Sequence, residues 1–228
     1  MGQRIRMVID VDKDDSMVSQ ERFDEMRSAL QARVKHSRYM HSLGVSQTAE
    51  QLARIYGANE NDAAVAGLLH DWDKGLSFEE LNAKAKTYHV VKKKVRKNLP
   101  AVLHGYTAAA TLRDDFPELT DEQLQAIARH TCGDTDMTDL DMIVFIADII
   151  EPGRNFGDVA PLRDAVGRVS LEELFYLTYQ STLIYLIDAN MPVHPDSLKV
   201  WNYYAARIDG RAVHAALKDE STTPDMQG

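Results

Sequence analysis

Apolar residues recur at three- and four-residue intervals along most of the chain and alternating runs are scarce, so the pattern predicts helices almost throughout. One helix is expected over about Ser19 to Tyr56, broken once and closed by Gly57, a favoured C-terminal cap. The next starts near Asn59 and runs through "NDAAVAGLLHD", where Ala63, Ala64, Ala66 and Gly67 permit a neighbouring helix to come close. Further helices are expected at Ser77 to about Lys97, about Pro100 to Asp114, Thr120 to Thr131, Asp139 to Ile150 and Leu171 to Ala189, and a last one follows "HPDS" and carries Trp201. Thr120 and Gln123 have the spacing of a capping box. The sum is an all-α bundle with short connections.

Neither repeats nor low-complexity blocks interrupt this pattern. Residues 1–20 mix the apolar "RMVIDV" with the acidic "DKDD" and read as an extension, residues 21–210 as the domain, and residues 211–228 as a C-terminal segment. The tail from about Lys218, "KDESTTPDMQG", is expected to be disordered because it has too little apolar surface to offset the entropy of ordering.

One position breaks the apolar pattern in an informative way. The stretch "DLDMIVFIADIIEP" is apolar from Met142 to Ile150 except for Asp148. A helix apolar on nearly every face is buried on most of them, and an unpaired buried carboxylate costs roughly several kcal/mol against a total stability of about 5–15 kcal/mol. Asp148 therefore needs a partner or a route to water.

Composition narrows what that partner can be. Cys132 is the only cysteine, which excludes an intrachain disulfide and a thiolate zinc cluster, so any metal is held by nitrogen and oxygen. The formal charge of −9 argues against nucleic-acid and anionic-membrane partners, and an anionic substrate would need locally placed cations. No apolar run is long enough to cross a bilayer and the N-terminus lacks the pattern of a secretory signal, so a cytoplasmic location is the default expectation. The eight histidines are the more telling count, because imidazole is both a metal ligand and an acid–base group near neutral pH.

Helical phase sorts these histidines. His41 shares a stripe with Val45, Thr48, Leu52 and Ile55 and is expected to face the core, whereas His36, five residues earlier and about 140° round the helix, is expected to face solvent. His70 and Asp71 end the Ala- and Gly-rich helix, where adjacent side chains can still reach one site. His104 shares a face with Ala108 and Thr111, and His130 follows Ile127 on a helix that "TCG" terminates. For any one of these, a satisfied core or surface residue is the simpler account. For six together, imidazoles and carboxylates directed inward from separate helices are the arrangement that builds a metal site in a bundle core. The donor set suits iron, manganese or zinc, and composition does not choose among them.

The order His41, then the His70–Asp71 doublet, then His104, His130 and Asp148 resembles the HD-domain metal phosphohydrolases. The surroundings are more specific than the doublet: "HSLGV", "AGLLHDWDK", "LHGYTAA", "AIARHTCGDTDM" and "IADIIEPGRNF" are similar to the YqeK branch, the symmetrical diadenosine tetraphosphate hydrolases. The likeness spans about Ser37 to Asn202 and includes "VHPDSLKVWN". It implies an HD-domain helical bundle, a dinuclear metal centre usually described as iron, and cleavage of the substrate into two molecules of ADP. Carried over by position, His41, His70, Asp71 and Asp148 hold one metal, and His104 and His130 hold the second with Asp71 bridging. Trp72 and Asp73 depart from the family pattern, which has small or aliphatic residues there. The extra carboxylate is a reason to expect weaker phosphate affinity or a shifted substrate choice.

Two metals held together lower the pKa of a bridging water and stabilise both oxygens of an in-line displacement. Asp71 and Lys74 are the catalytic candidates on this account. Lys74, one turn beyond the doublet, and Arg154, just after "EPG", are the expected phosphate contacts; an exposed helix-end lysine and a surface ion pair are the plainer alternatives. Thr131 and Gly133, which flank His130, are expected in the substrate pocket by analogy alone. The run "KKKVRK" at Lys92–Lys97 reads as a solvated helix face before it reads as a steering patch, and Met137 and Met142 read as core filler. No Gly-rich phosphate loop is present, which disfavours a P-loop enzyme. Two competing functions remain open, hydrolysis of another nucleotide or phosphate ester and nucleotide sensing without turnover, the latter kept alive by Asp73. Nothing in the sequence sets the oligomeric state.

Overall fold

The computed structural model describes residues 18–154 and 159–219. Most of the expected N-terminal extension and of the expected disordered tail lies outside the described residues. Within them the chain is all helix: twelve α-helices, one short 3₁₀ turn and no strand.

The expected broken helix is α1 (Gln20–Arg33) followed by α2 (His36–Tyr56). Ser19 caps α1 by accepting from Arg22 N–H, and Gly57 closes α2 in the left-handed conformation at φ 78°. Asn59 caps α3 (Glu60–Leu69). The single helix expected from Ser77 to about Lys97 is two, α4 (Phe78–Thr87) and α5 (Lys93–Asn98), because the chain turns through His89 at φ 53°, with no glycine to mark the break. The lysines of α5 are exposed, as a solvated face requires. A 3₁₀ turn at Pro100–Val102 leads into α6 (Leu103–Asp115), and α7 (Asp121–Arg129) carries the expected capping box of Thr120 and Gln123. The hydrophobic run forms α8 (Asp139–Ile150), and then come a short α9 (Ala160–Ala165), which the sequence pattern does not announce, α10 (Leu171–Asp188), α11 (Ser197–Ala205) and α12 (Gly210–Asp219).

Helix α8 is the centre of the bundle, packed by α2, α3, α7 and α10. Its residues Leu140 to Ala147 are all buried, and the Phe145 ring meets Phe175 at 5.1 Å and Tyr179 at 5.5 Å. Each fully buried Leu, Ile or Phe contributes roughly 1.5–3 kcal/mol, so this helix is anchored well enough to hold a charged residue in place. Met137 and Met142 are buried here, as expected. Asp141, also buried, caps the helix start and accepts from Gln125 at 2.9 Å and Arg129 at 2.8 Å. The bundle continues past residue 210, since Val213 of α12 is buried against it.

One expected core position is not in the core. Val45, Thr48 and Leu52 are buried on α2, but Ile55 is 52 % exposed. Ile55 instead lines an open groove with Ile150 and Val166.

Candidate metal centre

Five helices bring their ends or inner faces to one point. His41 comes from α2, His70 and Asp71 from the end of α3, His104 from the first turn of α6, His130 from the end of α7 and Asp148 from the last turn of α8. Gly105 makes the approach of α6 to α7 possible: a Cβ there would stand 2.8 Å from the Ile127 carbonyl and 3.0 Å from His130 Cε1.

Asp71 lies at the centre, and its two oxygens face different partners. Oδ1 is 2.9 Å from His104 Nε2 and 3.8 Å from His130 Nε2. Oδ2 is 3.4 Å from His70 Nε2 and 3.8 Å from His41 Nε2. Asp148 Oδ1 stands 3.0 Å from His41 Nε2 and 3.8 Å from His70 Nε2, and Arg154 donates to it. The partner that Asp148 requires is therefore this cluster. All six expected donors are brought together, and His36 is exposed as helical phase predicts.

The imidazoles are oriented for coordination. Nδ1 of His70, His104 and His130 each donates to the carbonyl three residues earlier, Gly67 at 2.7 Å, Ala101 at 2.9 Å and Ile127 at 2.7 Å. At the ends of α3 and α7 those carbonyls lack helical partners, so local geometry supplies the acceptor. His41 Nδ1 donates instead to Glu151 Oε1 at 3.0 Å. With every Nδ1 occupied as a donor, each neutral ring turns an Nε2 lone pair inward, the pattern by which outer contacts fix metal-binding histidines. His70 Nε2 is buried and has no hydrogen-bond partner. That orphaned atom, inside groups of donors that lie within 4.8 Å of one another, is the observation that a cation fits.

Electrostatics agree. Burial alone would raise the Asp71 carboxyl, but His70 and His104 hold it well below its usual range. Asp148 is likewise held low against burial by His41, His70 and Arg154. Burial lowers His104, and it lowers His130 to about 3 with help from His104 and His70. For His70 burial is outweighed by Asp71 and Asp148, and its pKa is raised. Anionic carboxylates and neutral His104 and His130 are the ligand states a divalent ion requires, and a cation beside His70 would oppose the protonation that the carboxylates favour there.

The cationic surroundings were legible only in part. Lys74 Nζ lies 3.4 Å from His104 Nε2 and 3.9 Å from Asp71 Oδ1, and burial lowers its pKa against the pull of Asp71 and Asp148. Arg154 bonds the Asp148 carbonyl at 2.8 Å and approaches His41 Nε2 at 3.3 Å, so it belongs to the cluster. Two participants escaped the sequence reasoning. Arg38 bonds Asp71 Oδ2 at 2.7 Å, and Glu151 holds His41. Each sits one helical turn from a donor, Arg38 before His41 and Glu151 after Asp148, a spacing that could have found them.

Asp73 corrects the expectation attached to it. Its carboxylate is fully buried and bonded to Arg33 at 2.8 Å and Lys84 at 2.6 Å, on the side facing α1 and α4. Neutralised there, it does not oppose phosphate at the cluster. Thr131 turns its hydroxyl to Cys132 Sγ at 3.6 Å, whereas Gly133 lines a separate cavity with Tyr106 and His194.

Comparison with known proteins bears on the same residues. The HD domain family model matches residues 38–153, which contain all six donors. The chain belongs to the HD-domain family. Within it, the chain is 32 % identical over 187 residues to a symmetrical bis(5'-nucleosyl)-tetraphosphatase of Staphylococcus aureus, covering 79 % of this chain and 93 % of that one. It is 31 % identical over 170 residues to the protein of the same name from Halalkalibacterium halodurans, covering 72 % of this chain and 87 % of that one. An HD superfamily hydrolase from Clostridium acetobutylicum, described as involved in NAD metabolism, superposes with a TM-score of 0.76 at 31 % identity and covers 84 % of this chain and 100 % of its own. The HD domain and the His–Asp cluster together support binding of a divalent metal. Among the described residues no helix is long and apolar enough to cross a membrane.

Proposed function

We propose that the protein is a metal-dependent hydrolase that cleaves diadenosine tetraphosphate symmetrically, adding one water across the bond between the second and third phosphates to give two molecules of ADP. The relatives named for this activity support the substrate. The division of Asp71 between two sets of imidazoles supports a dinuclear centre.

In this assignment His41, His70, Asp71 and Asp148 hold one ion, while His104 and His130 hold the second with Asp71 between them. Nitrogen and oxygen donors without thiolate suit iron, with manganese or zinc as the alternatives. When bound, two such ions supply an activated water and stabilise charge on the attacking and leaving oxygens. The chain's own part is to position and neutralise. Arg38, Lys74 and Arg154 converge on the cluster and offset the charge of the polyphosphate, which an acidic protein could not otherwise hold. Lys74, with its lowered pKa, can release a proton to the departing phosphate oxygen. Thr131 and Gly133 stay in the assignment as substrate-side residues of the His130 loop.

The experiment is product identification on an anaerobic, metal-analysed preparation. ADP alone is expected, and AMP with ATP would refute symmetrical cleavage. His70→Ala and Asp71→Ala should lose metal and turnover together, and full turnover in either would remove the centre. A nucleotide panel compared by kcat/KM tests the alternative of a different phosphate ester. Sensing without turnover loses its ground once Asp73 is found paired away from the site.

A further inference from the structure

The end of α8 carries two residues of the centre, Asp148 in the last turn and Glu151 as the cap, and Arg154 follows on the next turn. A helix ends in backbone carbonyls that have no partner within it, and cations are favoured at that negative end. Here one side chain gathers three carbonyls. Arg163 Nε donates to the Ile150 carbonyl at 2.8 Å, and Nη2 donates to the carbonyls of Glu151 at 2.7 Å and Arg154 at 2.8 Å.

Arg163 is supplied by α9, whose six residues are too few to hold a helix by themselves. Leu162 and Ala165 are buried, and α9 packs on α10, which also packs on α8. The guanidinium is thus carried on an arm that rests on the same core as the donors. The turn it grips needs such a hold, because Ile150 and Pro152 border an open groove of about 360 Å³ and packing does not fix the turn from that side. What depends on the turn is the position of two side chains. Glu151 accepts from His41 Nδ1 at 3.0 Å, and Arg154 donates to the Asp148 carboxylate and, at 2.8 Å, to its carbonyl.

We infer that Arg163 is a positioning residue for one half of the metal centre: by fixing the turn at 151–154 it sets Glu151 on His41 and Arg154 on Asp148. Through them it sets the affinity of the ion assigned to His41, His70, Asp71 and Asp148. His104 and His130 stand on α6 and at the end of α7, away from this turn, so the second ion is not under its control. A planar fork serves three oxygens where a point charge does not, and lysine is therefore no substitute. The inference rests on the metal-centre assignment above and is testable without turnover.

The test is manganese binding by chelator competition to the full chain, in the native sequence and in Arg163→Met, Arg163→Lys, Glu151→Gln and the double variant Arg163→Met/Glu151→Gln. His41→Ala identifies which binding step belongs to the first ion. Both Arg163 variants should weaken that step about tenfold, the low end of what outer contacts to a ligand are worth, and leave the other step within about twofold. The double variant should bind little more weakly than Glu151→Gln alone, because both changes release the same contact to His41. Should Arg163→Met not fold, Arg163→Lys and its double with Glu151→Gln carry the same comparison. A lysine variant that binds like the native chain, equal weakening of both steps, or factors that multiply in the double variant would each make Arg163 a residue that only stabilises the fold, and overturn the inference. A native chain that binds fewer than two ions removes the dinuclear centre and the positioning role together. Two ions bound by the native chain and equally by the variants remove the positioning role alone.

Discussion

Glu151→Gln isolates the contribution of the outer contacts to the metal centre. The Glu151 carboxylate is buried; Oε1 accepts from His41 Nδ1 at 3.0 Å and Oε2 accepts from Gly153 N–H at 2.5 Å. Gly44 leaves it little room, since even a Cβ at that position would stand 2.6 Å from Oε2. Glutamine keeps the shape and offers one acceptor where two are needed. Its amide nitrogen must face either His41 Nδ1–H or Gly153 N–H, donor against donor. A buried unsatisfied donor costs about 1–3 kcal/mol, and loss of an outer contact to a ligating histidine lowers metal affinity about 10–100-fold. Those ranges overlap, since a hundredfold is about 2.7 kcal/mol. The assay is metal affinity by chelator competition, followed by kcat at saturating metal. The dissociation constant should rise about 10–100-fold, with kcat recovering to within about threefold at saturation. A fall in melting temperature with unchanged metal affinity would show Glu151 to be a packing residue and refute the argument.

Two further outcomes follow from buried charge. Asp73→Asn should lower stability by about 1–3 kcal/mol, below the usual cost of breaking a buried pair because Arg33 and Lys84 are partly exposed and can rehydrate. Denaturant unfolding measures this; kcat/KM should stay within about twofold, and a rise in phosphate affinity would place Asp73 in the site after all. In metal-free protein, stability should fall on acidification. His130 stays neutral in the fold down to about 3 whereas the unfolded group protonates near 6.5, so its share, about 1.4 kcal/mol per pH unit at most, is present above 6.5 and lost as pH falls. His104 acts in the same direction, Asp71 and Asp148 add their losses at lower pH, and His70, whose pKa is raised, opposes only as pH rises above 6.5. Thermal melts from pH 7 to 4.5 with chelator test this, and a flat profile would contradict it.

The six donors could be found in the sequence because each is a chemically distinctive residue on a helix whose phase is clear, and because Asp148 interrupts an otherwise apolar run. Arg38 and Glu151 were less legible, since each matters only through the residue it touches on another part of the chain, Asp71 and His41 respectively. The break between α4 and α5 turns on a left-handed histidine that composition does not flag, and the six residues of α9 are too few for periodicity to register. Asp73 misled for the opposite reason. Nearness in sequence to Asp71 suggested nearness in space, while side chains at a helix end diverge.

That divergence explains how the short segment His70–Lys74 serves both the site and the fold. Successive backbone bonds, Trp72 N–H to the Leu69 carbonyl at 3.0 Å and Lys74 N–H to the Asp71 carbonyl at 2.9 Å, keep it in tight turns past the end of α3. His70, Asp71 and Lys74 then face the cluster, and Trp72 and Asp73 are buried on the opposite side, toward α1 and α4. That pair is clamped: Arg33 donates to the Trp72 carbonyl at 2.8 Å, lies 4.7 Å from its ring and bonds Asp73, and the same ring meets Phe116 at 5.5 Å. A carboxylate at the centre of the proposed metal site is best carried on a fixed backbone, because small misplacements cost large factors in rate. The residues that looked like departures from the family pattern thus fix the backbone on which Asp71 and Lys74 are carried.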